Sequence, residues 1–362
     1  MARPLKPIFE REEIERFIQP TLSGVLRMNA LKVSEKIKTS EEGFLRNVLS
    51  AESLVLKLSH QNAPPGFQVR GEDPLMSIDA SHELLRLGAD WRGLNAILNG
   101  GDKKGDSEPE RKIMPRFLAF YESFEPLMRK YSGDLTVGGG GYFSNVFVEE
   151  FGFLLKKGFD EFQLTIRSQE IATATKRLQT RINRNRLQQQ RYLDSLLESY
   201  GDLYVVYLNL GYDIYQPRRS YNAIRRDFEY FMKERRHNPL WKDDLAGFLW
   251  KLSDGVERGY HYHLILFYRG DRVEQHLQDK RLLSDKWVKE TTEGVGAWFE
   301  QVLPAGQECD FLLPDGIVSC EGGESYERLI GFIHYLNKLD YLIQLEVPKG
   351  ANVYGRGQIA AR

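Results

Sequence analysis

Apolar and polar positions change rhythm several times along this chain, and each change predicts an element. From Leu203 to Leu210 the run is β-branched and aromatic and stops at Gly211-Tyr212-Asp213, which reads as a strand. Gly247 to Ser253 reads as a second strand, Asp254 to Gly259 as a turn, and Gly259 to Phe267 as its hairpin partner, closed by Tyr268 to Asp271. Asp315 to Cys320 is a fourth strand candidate. Elsewhere the period lengthens to that of a helix. Helices are predicted over Glu10 to Phe17, Glu41 to Leu58, Ser81 to Leu98, residues 110–131, Glu149 to Tyr200 and Ser284 to Thr292. A further helix spans Ser220 to Arg236, with Ser220 as its N-cap. The last covers Glu324 to Leu345, with Leu329, Phe332, Ile333, Leu336, Leu339 and Ile343 as its buried stripe.

From residue 203 on, the order is strand, helix, hairpin, helix, strand, helix. It predicts an α+β fold, an antiparallel sheet with helices on one face. The breaks at Ala63-Pro64-Pro65-Gly66, at the polar loop 100–109 and at Gly138 to Gly141 suggest two regions. Residues 1–140 form a mostly helical region, and residues 141–362 a second domain with a basic helical lead-in over 145–200. The four glycines lack the Gly-Lys-Ser/Thr ending of a phosphate loop and are read as a joint.

Composition narrows the function classes. At 362 residues with 41% hydrophobic and 28% charged positions, the chain is ordinary for a globular protein. No apolar run approaches the roughly 18 residues of a membrane span, and the N-terminus has no apolar signal core, so a cytoplasmic protein without a membrane partner is expected. Cys309 and Cys320 have neither zinc spacing nor a disulfide framework around them. A net charge of −1 argues for no particular partner, but two segments are locally basic. One holds Arg167, Lys176, Arg177, Arg181, Arg184, Arg186 and Arg191; the other holds Arg218, Arg219, Arg225, Arg226, Lys233, Arg235 and Arg236. Such clusters can track phosphates, or can simply be solvated helix faces.

The sharpest chemical pattern is His261-Tyr262-His263 inside the predicted hairpin. Side chains alternate along a strand, so both imidazoles share a face and can act as a pair of metal ligands. Two histidines on a half-buried sheet face also fit. On the last helix Tyr335 and Lys338 are three apart and therefore neighbours. A phenol is a poor nucleophile until a cation lies beside it. A metal on the histidines would polarise a phosphoryl oxygen. Tyrosine attack on a DNA phosphodiester would then leave a phosphotyrosyl link and a 3′-hydroxyl.

The conjunction of the Gly259-to-Phe267 strand, the Lys286-to-Gly296 segment and Tyr335-Leu-Asn-Lys338 resembles the HUH endonucleases of rolling-circle replication. More closely it resembles the inovirus gene-two-type replication proteins, a family also found in prophages and phage satellites. The resemblance covers residues 145–357 and is diffuse before Leu203. It implies an HUH core built on a palm-like antiparallel sheet, and nicking of one DNA strand at an origin with Mg²⁺ or Mn²⁺. It implies His261 and His263 as metal ligands, Tyr335 as nucleophile and Lys338 as its helper. Single-stranded or hairpin origin DNA would be the partner. A host helicase is also implied, since the chain has no Walker motif.

One departure stands out. The family places an acid eight residues before the first histidine as a third ligand, and here that position is Ser253. Asp254 lies on the opposite face of a regular strand but could be brought round by a bulge, and Glu257 is close by. Tyr341 is a rival nucleophile, about 120° round the helix from Tyr335, and His334 is read as a packing residue. The DNA-contact candidates are Arg181, Arg184, Arg186, Arg218, Arg219, Arg225 and Arg226. Two other readings stay open. One is an origin-binding protein without useful catalysis, and the other a metallohydrolase whose nucleophile is water.

Overall fold

The computed structural model describes residues 25–28, 31–32, 48, 50–70, 76–80, 87–92, 94–95, 110–131, 142–143, 145–234, 245–255, 258–270, 273–302, 316–348 and 351–358. The predicted helix Glu10 to Phe17, the glycine joint, the 100–109 loop, Arg235, Arg236, Glu257 and Cys309 lie outside them.

The described strands, in chain order, are β1 (Val25–Met28), β2 (Leu31–Lys32), β3 (Phe67–Arg70), β4 (Met76–Ala80), β5 (Glu110–Ile113), β6 (Tyr142–Phe143) and β7 (Leu203–Tyr212). Then come β8 (Leu245–Gly255), β9 (Gly259–Arg269), β10 (Gly296–Val302), β11 (Gly316–Val318), β12 (Ile343–Glu346) and β13 (Tyr354–Arg356). The longer helices are α1 (Pro115–Tyr131), α2 (Asn145–Ile166), α3 (Gln169–Tyr200), α4 (Tyr221–Lys233), α5 (Val273–Lys286) and α6 (Glu324–Leu342). A π-helical turn, Trp287–Thr291, continues α5.

Eight of the described strands make the main sheet, in the order β13-β8-β9-β7-β10-β1-β2, with β11 on the same edge of β7 as β10. Every pairing in it is antiparallel. The predicted hairpin is present as β8–β9 and is longer than expected, because β8 starts at Leu245 and runs into the predicted turn as far as Gly255, and β9 continues to Arg269.

Helices cover both faces of this sheet, not one. The odd-numbered residues of β9 pack under α3 and α6, where Leu193, Leu196, Phe332 and Ile333 close over Ile265 and Phe267. The even-numbered residues pack against α4 and the end of α5, through Ile224, Phe228, Phe231, Leu283 and Trp287. The reason is visible in β9, which is buried at every position but its last. A strand apolar on both sides needs a cover on both.

The single predicted helix over 149–200 is two helices. Ser168 interrupts it as an N-cap, its hydroxyl accepting from the Ile171 N–H at 3.2 Å. Ser220 caps α4 as expected, accepting from Ala223 N–H at 3.2 Å. Other boundaries differ as well, α5 beginning at Val273 well ahead of the predicted start at Ser284. Residues 110–113 are strand rather than helix, α6 stops at Leu342, and Ile343 opens β12.

Before residue 141 the described chain combines helices with short strands. Residues 50–60 and α1 are helical, β3 and β4 pair with each other and β4 with β6, and β1 adds to the main sheet by pairing with β10. The helical core there runs across residue 140, since Phe117, Phe120 and Phe124 of α1 share one cluster with Phe159 and Phe162 of α2 and Leu178 and Ile182 of α3. Inside it Arg116 and Glu52 form an ion pair with both side chains 1% exposed. β12 pairs with β5, a second tie between the two parts of the chain. At 1.5 Å per residue α3 is about 48 Å long. Its first half serves the helical core and its second half the sheet.

Candidate metal and nucleophile site

The register of three strands puts the site in two rows on the face under α3 and α6. His263 lies between Lys251 of β8 and Asn209 of β7, and His261 is paired with Ser253 of β8. On the β7 side His261 meets Gly211, where an added Cβ would come within 3.1 Å of the His261 Cβ and of the Phe299 ring. Glycine there lets β7 close on the histidine with no side chain between.

Both imidazoles are buried, His261 at 2% and His263 at 8% exposure, with ring centroids 4.9 Å apart. His261 Nδ1 lies 2.8 Å from the Gly259 carbonyl oxygen. A carbonyl only accepts, so Nδ1 carries the hydrogen and in the neutral ring the lone pair falls on Nε2. His263 Nδ1 lies 2.6 Å from the Tyr207 hydroxyl. Burial, followed by the His261, Arg258 and Lys251 charges, holds the His263 pKa well below its ordinary value, so that ring is neutral. Outer-sphere partners on Nδ1 of each ring are the arrangement that orients a ligating imidazole.

Around the pair are groups that spacing alone did not reveal. The Asn209 side chain is 7% exposed and its Oδ1 has no hydrogen-bond partner, and the Ser253 Oγ is also buried and unpartnered. Lys251, 5% exposed, is bound by Asp340 of α6 at 2.5 Å. That ion pair clips the last turns of α6 to the sheet beside His263. Asn337 of α6 donates to the Ile333 carbonyl at 2.8 Å and to the Gln189 amide oxygen of α3. Below, Trp287 Nε1 donates to the Gly211 carbonyl at 2.7 Å. Gly296 keeps that approach open, since a Cβ there would lie 2.1 Å from Thr292 Oγ1. The Lys286-to-Gly296 segment therefore braces β7 behind His261.

Tyr335 sits on α6 over the same face, partly buried where the helical and sheet cores meet. Its ring lies 6.4 Å from Phe332, which stands edge-on to Tyr207 at 5.0 Å. Tyrosine and histidines thus share one side of the sheet, joined by Phe332 and Tyr207. The side chains of Lys338 and Tyr341 lie outside the described residues. His334 is half-buried on α6.

Asp254 does not come round to the histidines. The β8–β9 register is regular here, with its shift confined to Leu245 and Gly247, so Asp254 pairs with Tyr260 on the opposite face. There it forms an ion pair with Arg218, whose guanidinium also lies 5.3 Å from the Tyr260 ring. Among the described residues no group of three His, Cys, Asp or Glu gathers anywhere.

The two basic segments fall on different sides. α4, with Arg225 and Arg226, covers the face away from the histidines, so it cannot line a path over them. Its charges are also partnered, Arg225 with Glu229 and Arg226 with Asp227, while Arg219 lies over Tyr212. α3 lies on the histidine side. Arg177, Arg181, Arg184, Gln188 and Arg191 fall within about 80° of one another round it, and all five are exposed. Arg181 bonds Gln344, and among the described residues these four arginines have no acidic partner. Arg186 points the other way and is half-buried. No helix among the described residues is long and apolar enough to cross a membrane.

No protein-family model, curated protein or solved structure matches this chain.

Proposed function

We propose that the protein is a replication initiator that nicks one DNA strand through Tyr335, assisted by a divalent cation on His261 and His263. The observation that carries this reading is the shared face: two buried imidazoles with Nδ1 committed elsewhere, under a helix that presents a tyrosine to the same side. The donor chemistry fits a cation. The Gly259 carbonyl on His261 Nδ1 directs that ring's lone pair to Nε2, and imidazole beside oxygen donors suits Mn²⁺ better than Mg²⁺. When bound, the cation polarises the phosphoryl oxygen and stabilises charge on the leaving oxygen.

In this scheme the Tyr335 phenol oxygen forms a bond to phosphorus and its proton passes to solvent. The bond from phosphorus to the 3′ oxygen breaks, and that oxygen takes up a proton to become the 3′-hydroxyl. The product is a 5′-phosphotyrosyl link that conserves the phosphodiester's bond energy for rejoining. Lys338, one turn on, is the proposed cation beside the phenol. Gly259 and Tyr207 hold the rings, and the Lys251–Asp340 pair holds α6 above them. Rolling-circle replication of a phage, satellite or plasmid would follow, with a host helicase opening the duplex.

The test is incubation of the full chain with origin-derived single strands in Mn²⁺, followed by mass spectrometry of tryptic peptides. A nucleotide adduct on Tyr335 is expected, absent from Tyr335→Phe although that variant still binds DNA. An adduct that persists in Tyr335→Phe would end the assignment. The Ser253 position favours a second reading, an origin-binding protein without useful catalysis, which predicts hairpin binding with no cleavage in Mn²⁺.

A further inference from the structure

The geometry points to Asn209 as a third donor to the cation, supplied from β7 rather than from β8. This rests on the reading of His261 and His263 as metal ligands. Three observations lead to it. Asn209 is paired directly with His263, so the two side chains leave the sheet on the same face. Its side chain is 7% exposed and Oδ1 has no hydrogen-bond partner. A buried amide oxygen left unpaired is destabilising, and a cation beside it would satisfy it. The next β7 residue on this face is Gly211, so no other β7 side chain competes for the space beside His261.

On the other flank the choices are poorer. Ser253 has an unpartnered Oγ facing His261 but no charge, Lys251 is a cation with its own counter-ion, and Asp254 faces away. Two imidazoles, an amide oxygen and the Ser253 hydroxyl form a donor set with no net charge. Such a set binds Mn²⁺ more weakly than one containing a carboxylate and leaves coordination positions for phosphate oxygens. Nucleic acid would then supply the negative charge that the protein lacks.

Mn²⁺ titration of the full chain without DNA, followed by electron paramagnetic resonance of free and bound metal, tests this without relying on cleavage. Asn209→Ala is expected to weaken Mn²⁺ binding about tenfold or more, and Asn209→Asp to tighten it beyond wild type, with circular dichroism confirming folding. Should Asn209→Asp fail to fold, the Asn209→Ala result decides alone. If the Asn209 variants that fold bind as wild type while His261→Ala does not bind, the assignment of Asn209 falls and the histidine site stands. If the wild-type chain binds no Mn²⁺, both fall.

Discussion

The two faces of the β7–β8–β9 sheet are built from alternate residues of the same strands, yet they are chemically unlike. Away from the histidines the face is apolar packing rich in rings, with leucines and valines between them and the Asp254–Arg218 pair at the turn end. Phe228 stacks on Tyr262 with centroids 3.6 Å apart, Trp250 meets both rings edge-on, Tyr221 does the same to Tyr260, and Trp287 is fully buried. On the histidine side aliphatic packing gives way, near the β8–β9 turn, to Tyr207, Asn209, Lys251, Ser253, His261 and His263. Two buried oxygens there have no partner. One side of each strand supplies burial and rigidity, while the other tolerates unpaired polar groups because the first fixes the backbone. Polar groups held this way are pre-positioned for a ligand.

The largest expected effect lies on the aromatic face. Phe228→Ala removes the ring stacked on Tyr262 and should cost roughly 3–5 kcal/mol in a urea or thermal unfolding experiment. Mn²⁺ affinity should survive in the fraction that remains folded. A comparable loss of Mn²⁺ affinity at full folding would show that the two faces are not independent. Next comes the histidine face itself. Tyr207→Phe removes the oxygen 2.6 Å from His263 Nδ1 and should cost only about 1 kcal/mol of stability, but roughly tenfold in Mn²⁺ affinity. An unfolding loss matching that of Phe228→Ala would make this face structural instead.

The smallest effects separate the helices on the two sides. If the α3 stripe meets phosphates, replacing Arg177, Arg181, Arg184 and Arg191 with Gln should make the slope of log affinity against log salt shallower. The change should be about 0.7–0.9 for each phosphate the protein no longer neutralises. Arg225→Gln with Arg226→Gln, on the far side and already paired with acids, should leave the slope unchanged. Equal slopes for the two sets, measured by fluorescence anisotropy on one oligonucleotide, would remove the distinction.

The hairpin could be read directly, because a β-branched and aromatic run bounded by Asp254 to Gly259 has few other conformations available. Ser220 was readable as an N-cap for a local reason, its hydroxyl being bonded three residues along the chain. The second covered face was in the sequence too. Gly259 to Tyr268 contains no polar alternation apart from the histidines themselves, and such a run needs two covers. β10 and β13 were missed because their partners are distant in sequence, β10 pairing with β7 and β13 with β8. Asn209 gave no signal, since a single amide in a strand has no spacing to recognise. Its pairing with His263 spans 54 residues of chain.

What the sequence determined by itself is local or periodic: that His261 and His263 share a side, and that Tyr335 rides a helix. Period and phase are properties of consecutive residues, so they survive without any knowledge of the fold. The tertiary structure alone decided which helix covers which face, that Asp254 is bound to Arg218, and that Lys251, Ser253, Asn209 and Gly211 surround the pair. Those are consequences of register between strands, and register is set by packing and hydrogen bonding across the whole sheet.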